Sequence, residues 1–318
     1  MLRCSLLALC FSASAWGQGF APSRTIELVV HSAPGGASDV FAHALVEMLE
    51  GERLVQQPFR VMNKAAGASA EAMAYLAAQR GDDHTIAVFT NTWLATPLTR
   101  KNPAHTLRDF TPIARLVLEP TIAVVRADAP YRTLAGFIDA AKKNPGTLKQ
   151  GGGSITAIDS LTGLLLQSAT GARWGFVSTP AVRERMVDLI AGKVDIVIPQ
   201  PQDANEHLAS GKVRAIAAIT ERRLASLPEL PTVRELGFAI PIIANVRGIV
   251  APAALSWDTA TYWRELFARL GATQSWRKYV AENQVQDVLL RGPELAPYLE
   301  EQTGLMQKVL REAGVQKF

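Results

Sequence analysis

Cysteine is nearly absent: the 318-residue chain has two, Cys4 and Cys10, and both fall in an N-terminal stretch that reads as a removable leader. A mature chain without thiols has no disulfides, no cysteine nucleophile and no thiolate metal site. Charge is also sparse, with Asp, Glu, Lys and Arg at 19% of the residues. No block of five like charges occurs and no basic stripe is interleaved with aromatics, which argues against a nucleic-acid partner. The net charge of +4 loses only Arg3 with the leader, a mild excess that is feeble support for an anionic small-molecule ligand. Apolar runs approaching the roughly 18 residues of a spanning helix are missing. The histidines, His31, His43, His84, His105 and His207, are scattered without metal-ligand spacing. Neither a three-glycine dinucleotide fingerprint nor a P-loop is present, and Gly152-Gly-Ser-Ile-Thr156 lacks the last glycine of a nucleophile elbow.

What is present begins with the leader. Arg3 supplies a basic start, Cys4 to Phe11 a short apolar run, and Ser12 to Gly17 a small-residue cleavage region, so residues 1–17 read as a signal peptide. Cleavage after Ala15 or after Gly17 fits equally well. Leu9 before Cys10 is not the small residue that lipoprotein processing prefers, which disfavours a lipid anchor. The remaining length, with 48% hydrophobic residues overall, is enough for two domains with substantial cores.

Ile26 to Val30 is strand-like and runs into Ala33-Pro-Gly-Gly36, after which Val40, Phe41, Ala44, Leu45, Met48 and Leu49 recur with helical period. Ser38 and Asp39 are capping residues for that helix. The glycines therefore sit at a helix amino end, where unpaired amides suit an anion; the plainer reading, a tight turn only, stays equally open. The β-α rhythm continues through strands at 59–63 and 85–90, with Asn91 to Trp93 placed in the loop beyond the latter. A strand at 121–125 opens a second series: a helix near 137–141, the turn Gly151-Gly-Gly-Ser154, a helix carrying Ile158, Leu161 and Leu165, a helix at 182–190, a strand at 194–198 and another at 213–219. Helical patterns close the chain near 262–270, 276–282 and 297–312. Strands alternating with helices predict an α/β protein with mostly parallel sheets covered on both faces. Gly151 to Ser154 repeats the first turn's design, and two such turns facing across a cleft can hold one carboxylate from opposite sides; a flexible loop before a helix is the alternative.

With these segments in order, the chain resembles the periplasmic solute-binding receptors of tripartite tricarboxylate transporters, the Bug or TctC-like family. The resemblance rests on Ala33-Pro-Gly-Gly36 with Asp39, Asn63-Lys-Ala-Ala-Gly67, Leu107-Arg-Asp-Phe-Thr-Pro-Ile-Ala114, Gly151-Gly-Gly-Ser154, Ala191-Gly-Lys-Val-Asp195, Gly211-Lys-Val-Arg-Ala215, the segment Arg223 to Gly237, and Arg247-Gly-Ile-Val-Ala-Pro252. It implies a two-domain Venus-flytrap fold, with residues 18–122 and 246–318 in one domain and 123–245 in the other, closing on a small organic carboxylate. By position it implies ligand contacts from Pro34, Gly35, Gly36 and Ser38, from Gly153, Ser154, Ile155 and Thr156, and from Asn91, Ser178 and Asp195. Asp195 beside a carboxylate would need an intervening proton, water, hydroxyl or ammonium; the alternative is an acid that only orders its neighbouring turn. The resemblance further implies a periplasmic monomer without cofactor or metal that passes its ligand to membrane permease subunits; a secreted hydrolase and a ligand-sensing domain are the competing functions. Two departures stand out: no histidine lies between Gly151 and Leu166, and Val177-Ser-Thr179 carries small hydroxyls where family members commonly have an aromatic. These bear on the far end of the ligand. Arg247 could meet a second carboxylate or be an exposed hinge residue.

Overall fold

The computed structural model describes residues 19–155, 157–179, 181–312 and 314, so the leader at 1–17 and Thr156 lie outside the described residues. Strands β1 (Ile26–Val30), β2 (Phe59–Asn63) and β3 (Thr85–Thr90) alternate with helices α1 (Ala37–Gly51) and α2 (Ala70–Ala78), and α3 (Asn91–Leu98) follows β3 directly. Then β4 (Thr111–Glu119) and β5 (Thr121–Arg126) are separated by Pro120 alone. The middle of the chain is α4 (Leu134–Lys143), β6 (Lys149–Gly152), α5 (Ile158–Thr170), β7 (Gly175–Ser178), α6 (Val182–Ile190), β8 (Ile196–Val197), α7 (Pro201–Ala209) and β9 (Val213–Ile219). β10 (Asn245–Ala251), α8 (Trp257–Gly271), α9 (Gln274–Glu282), β11 (Gln286–Arg291) and α10 (Leu295–Glu312) complete it.

Two sheets result, in the orders β11-β4-β10-β3-β1-β2 and β7-β6-β8-β5-β9. They are mixed, which corrects the expectation of mostly parallel sheets. β1 pairs in parallel with β2 and β3, and β6 with β7 and β8, as the β-α rhythm requires. The strands that cross between lobes reverse direction: β10 is antiparallel to both β3 and β4, and β5 to both β8 and β9. A strand entering from the other lobe has no crossover helix to return it to the same end of the sheet, so it pairs antiparallel.

Side chains alternate between faces along each strand, and the cores record it. Ile26, Leu28 and Val30 pack with α1, α8 and α9 residues such as Phe41, Trp263 and Trp276, while Val29 points to the opposite core with Phe89 and Trp93. In the second sheet Ile122 and Val124 pack against α6 and α7 through Met186, Leu189 and Ala204, and Ala123 and Val125 face the core with Phe137 and Leu161. The core under α3, α4, α5 and α10 is continuous across both lobes, with Met306, Val309 and Leu310 of α10 in it. Both sheets are thereby covered on two faces. Among the described residues no helix is long and apolar enough to cross a membrane.

Three local expectations change. Asn91 opens α3 instead of lying in a loop, because the Thr90 hydroxyl accepts the Thr92 amide and caps a helix there. The strand expected at 194–198 is only Ile196–Val197. Val40 is 59% exposed, and the buried stripe of α1 runs through Phe41, Ala42, Leu45, Met48 and Leu49.

Candidate functional site

Between the sheets lies a cleft of about 540 Å³, and the amino ends of five helices open onto it. Ala37 starts α1, Asn91 starts α3, Ile158 starts α5, Val182 starts α6 and Gln200 caps α7; all line the cleft. First-turn amides have no acceptor within their own helix, and each helix carries a partial positive charge at that end. Three arginines, Arg183, Arg185 and Arg247, add formal charge to the same walls. The place is electropositive by construction.

The first glycine turn and the start of α5, just beyond the second turn, form its opposing sides, and the two turns are built by one device. In the first, the Gly35 amide donates to Asp39 Oδ2 at 2.8 Å and the Asp39 amide donates to Ser32 Oγ at 3.0 Å. Asn63 Nδ2 donates to Asp39 Oδ1 at 2.7 Å and to the Ser32 carbonyl at 3.0 Å, so β2 braces the turn. Burial opposes ionisation of Asp39, yet the bonds from Asn63 and Gly35, with His43 nearby, hold its carboxyl below the ordinary value. In the second, the Gly153 amide donates to Asp159 Oδ2 at 2.9 Å and the Ser160 amide to Oδ1 at 2.8 Å. Arg185 completes that carboxylate with a charge-assisted bond from α6. Gly35 needs its glycine because its φ is +76°.

This wiring reassigns which amides face a ligand. Gly35, Gly36 and Gly153 donate inward, Gly36 to the Ala33 carbonyl at 2.9 Å. The amides left at the first turn are those of Ala37 and Ser38, and at the second those opening α5. Pro34, Gly35 and Gly36 stand at the cleft edge or beside it, with Ser38 buried beneath. Ser154 accepts from Ser160 Oγ and from the Ala157 amide through its carbonyl, and Ile155 is 38% exposed next to it. Ser178 does not reach the cleft wall: its hydroxyl donates to the Gly153 carbonyl at 2.6 Å and steadies the turn from behind.

Asn91 lines the cleft but spends its amide on the hinge, donating to the Ala244 carbonyl and accepting from the Val246 amide. Asp195 is a correction. Parallel pairing of β6 with β8 puts it level with Lys149, at the amino end of these strands, whereas the glycine turn is at their carboxyl end. There it accepts from Tyr131 Oη at 3.0 Å and from the Lys149 amide at 2.8 Å. It orders that end of the sheet and is outside the cleft.

Arg247 is neither exposed nor free. It is 6% exposed, ion-paired with the buried Glu119 at the end of β4, donates to the Ala37 carbonyl at 3.1 Å and lies 5.3 Å from the Phe41 ring centre. Glu119 also accepts from Asn245 and Gln200, so the crossing strands and the start of α7 meet on one carboxylate. His31 is half-buried beside the core: Trp93 Nε1 donates to its Nδ1 at 3.1 Å, and burial together with the Arg247 charge lowers its pKa to about 4. Asp203, on α7 and lining the cleft, is pushed up by burial, with the Glu119 charge adding to it.

Sequence reading missed Asp159, Arg185, Glu119 and Asp203. Asp159 had a signal, since it stands in the first helical turn after the second glycine turn much as Asp39 does after the first. The others had none, because their partners come from distant segments.

Residues 46–314 match the family described as the tripartite tricarboxylate transporter family receptor. A similar curated protein is the UPF0065 protein in the gbd 5′ region of Cupriavidus necator, 26% identical over 297 residues, which are 93% of this chain and 89% of that one. Similar solved structures include a TctC solute-binding protein from Polaromonas without ligand, at TM-score 0.78 and 23% identity over 92% of this chain and 99% of that one. An R. palustris protein with adipate superposes at TM-score 0.79 and 23% identity, covering 92% and 98%.

Proposed function

The chain belongs to the tripartite tricarboxylate transporter family of receptors, and on that premise we propose that its cleft captures a small organic carboxylate and delivers it to the permease subunits of such a transporter. The observation that carries this reading is the convergence of five helix amino ends and the first glycine turn on one cleft. Amides fixed in place stabilise a carboxylate without reorganising, each charge-assisted bond contributing about 1.5 to 3 kcal/mol. One carboxylate group sits between Ala37 and Ser38 on one side and the start of α5 on the other. Pro34, Gly35 and Gly36 shape the first wall; Gly153 and Ser178 support the second, and Asn91 holds the hinge strand against the floor. Adipate in the R. palustris neighbour supports this ligand class.

The lobes expected at 18–122 with 246–318 and at 123–245 close on the ligand as two bodies, pivoting at Pro120 and Ala244. Export through residues 1–17 places the protein in the periplasm, where it works as a monomeric receptor with no catalytic step, cofactor or metal. The test is thermal unfolding against a panel of mono-, di- and tricarboxylates. A bound ligand at 100 times its Kd adds about 2.7 kcal/mol to stability and raises Tm. If no carboxylate moves the melting curve, the reading is wrong.

A further inference from the structure

Helix α6 brings two arginines to the cleft two positions apart, and their surroundings differ. Side chains at i and i+2 of a helix point in different directions. Arg185 is 16% exposed in its side chain and is taken up by Asp159, so its charge holds the second glycine turn in shape. The third guanidinium of the cleft, Arg247, is likewise matched, by Glu119. Arg183 is exposed, and among the described residues no acidic side chain pairs with it. Asp203 is the other acid on these walls besides Asp159, and its burial disfavours the ionised form that would offset Arg183.

On the carboxylate reading, one carboxylate takes the amides of Ala37, Ser38 and the start of α5, and the cleft is several times larger than that group. What remains is a single unmatched guanidinium on its wall. The small hydroxyls of Ser178 and Thr179 do not serve the rest of the ligand, because they turn to the Gly153 carbonyl and toward Asp188. We infer that Arg183 is the specificity-determining residue for a second acidic group, so that this receptor selects dicarboxylates over monocarboxylates of the same length. The inference rests on the carboxylate reading of the cleft. A guanidinium offers a planar fork that meets a carboxylate through two parallel bonds, which an uncharged or hydroxyl-bearing ligand end does not reward.

Isothermal titration with succinate, glutarate and adipate, each beside the monocarboxylate of equal length (butyrate, valerate and hexanoate), tests it. Wild-type protein should bind the dicarboxylate of the fitting length at least about tenfold tighter than its monocarboxylate. In Arg183→Gln that ratio should fall toward one, and Arg183→Lys should keep part of it by retaining charge without the fork. A wild-type protein that binds both members of each pair alike, or an Arg183→Gln variant with an unchanged ratio, overturns this assignment and leaves the carboxylate cleft standing. A wild-type protein that binds none of the six overturns both. Circular dichroism of each variant confirms that an altered ratio does not come from unfolding.

Discussion

The two glycine turns look alike in sequence and are wired alike through an aspartate, yet they differ in what completes that aspartate. Asp39 is finished by a neutral amide from Asn63 on the neighbouring strand, with His43 at 3.6 Å. Asp159 is finished by a guanidinium from α6, a helix two elements further along the chain. The first turn is thus braced within its own β-α-β unit, and the second depends on an ion pair between separate helices. Their glycines differ as well. Gly35 answers a left-handed backbone, whereas at Gly152 a Cβ would lie 2.5 Å from the Phe176 ring, so that glycine is required by packing. Identical-looking motifs can be glycine-rich for unrelated physical reasons.

The most severe way to break the parallel is to delete each aspartate. Asp159→Ala removes the ion pair of Arg185 in a partly buried site and frees the Gly153 amide, an expected cost of about 3 kcal/mol. Asp39→Ala removes bonds to neutral partners and should cost about 1 to 3 kcal/mol. Urea unfolding of the two variants decides, and equal losses would show that the ion pair adds nothing. Acid offers a second contrast, since only the first turn follows a half-buried histidine. His31 is neutral in the fold, so below pH 6.5 the unfolded chain takes up a proton first. Stability is full above pH 6.5 and falls, by on the order of 3 kcal/mol, as pH drops toward about 4. Unfolding midpoints of wild type and His31→Gln across that range should diverge in slope, and parallel profiles would remove His31 as the cause.

A smaller effect separates the glycines of the second turn. Gly152→Ala forces a Cβ against the Phe176 ring and should cost about 1 to 3 kcal/mol, while Gly153→Ala, whose Cβ would stand 3.3 Å from Ala157 Cβ, should cost less. Thermal unfolding ranks the two, and a larger loss at Gly153 would move the steric demand to the turn's tip. The mildest test concerns the shared floor of the cleft. A bound carboxylate further disfavours ionised Asp203, so binding takes up protons and affinity should rise modestly as pH falls toward the range in which Asp203 titrates. Asp203→Asn should flatten that dependence in titrations at each pH; an unchanged slope would assign it to another group.

Much of the fold was legible in the sequence because it is local. Ile26 to Val30, the glycine turn and the start of α1 follow one another within a single unit, and so do β6, its turn and α5; their periodicity and capping residues are written in adjacent positions. The strands that escaped notice, β4, β10 and β11, break the β-α rhythm, and their antiparallel partners lie far away in the chain. Arg247 and Glu119 are 128 positions apart, so an arginine that reads as an exposed hinge residue is in fact half of the buried pair that joins the crossing strands. Asp195 misled for a related reason: its motif marks a strand, but only the parallel register with β6 says which end of the sheet the acid occupies.

By itself, then, the sequence determined the α/β units, the two turns and the acids in the first helical turns, since each is a short-range consequence of backbone geometry and side-chain periodicity. Tertiary structure alone decided which amides remain for a ligand, which arginines are already matched and which carboxylates face the cleft, because those outcomes depend on partners brought together only when the two sheets pack.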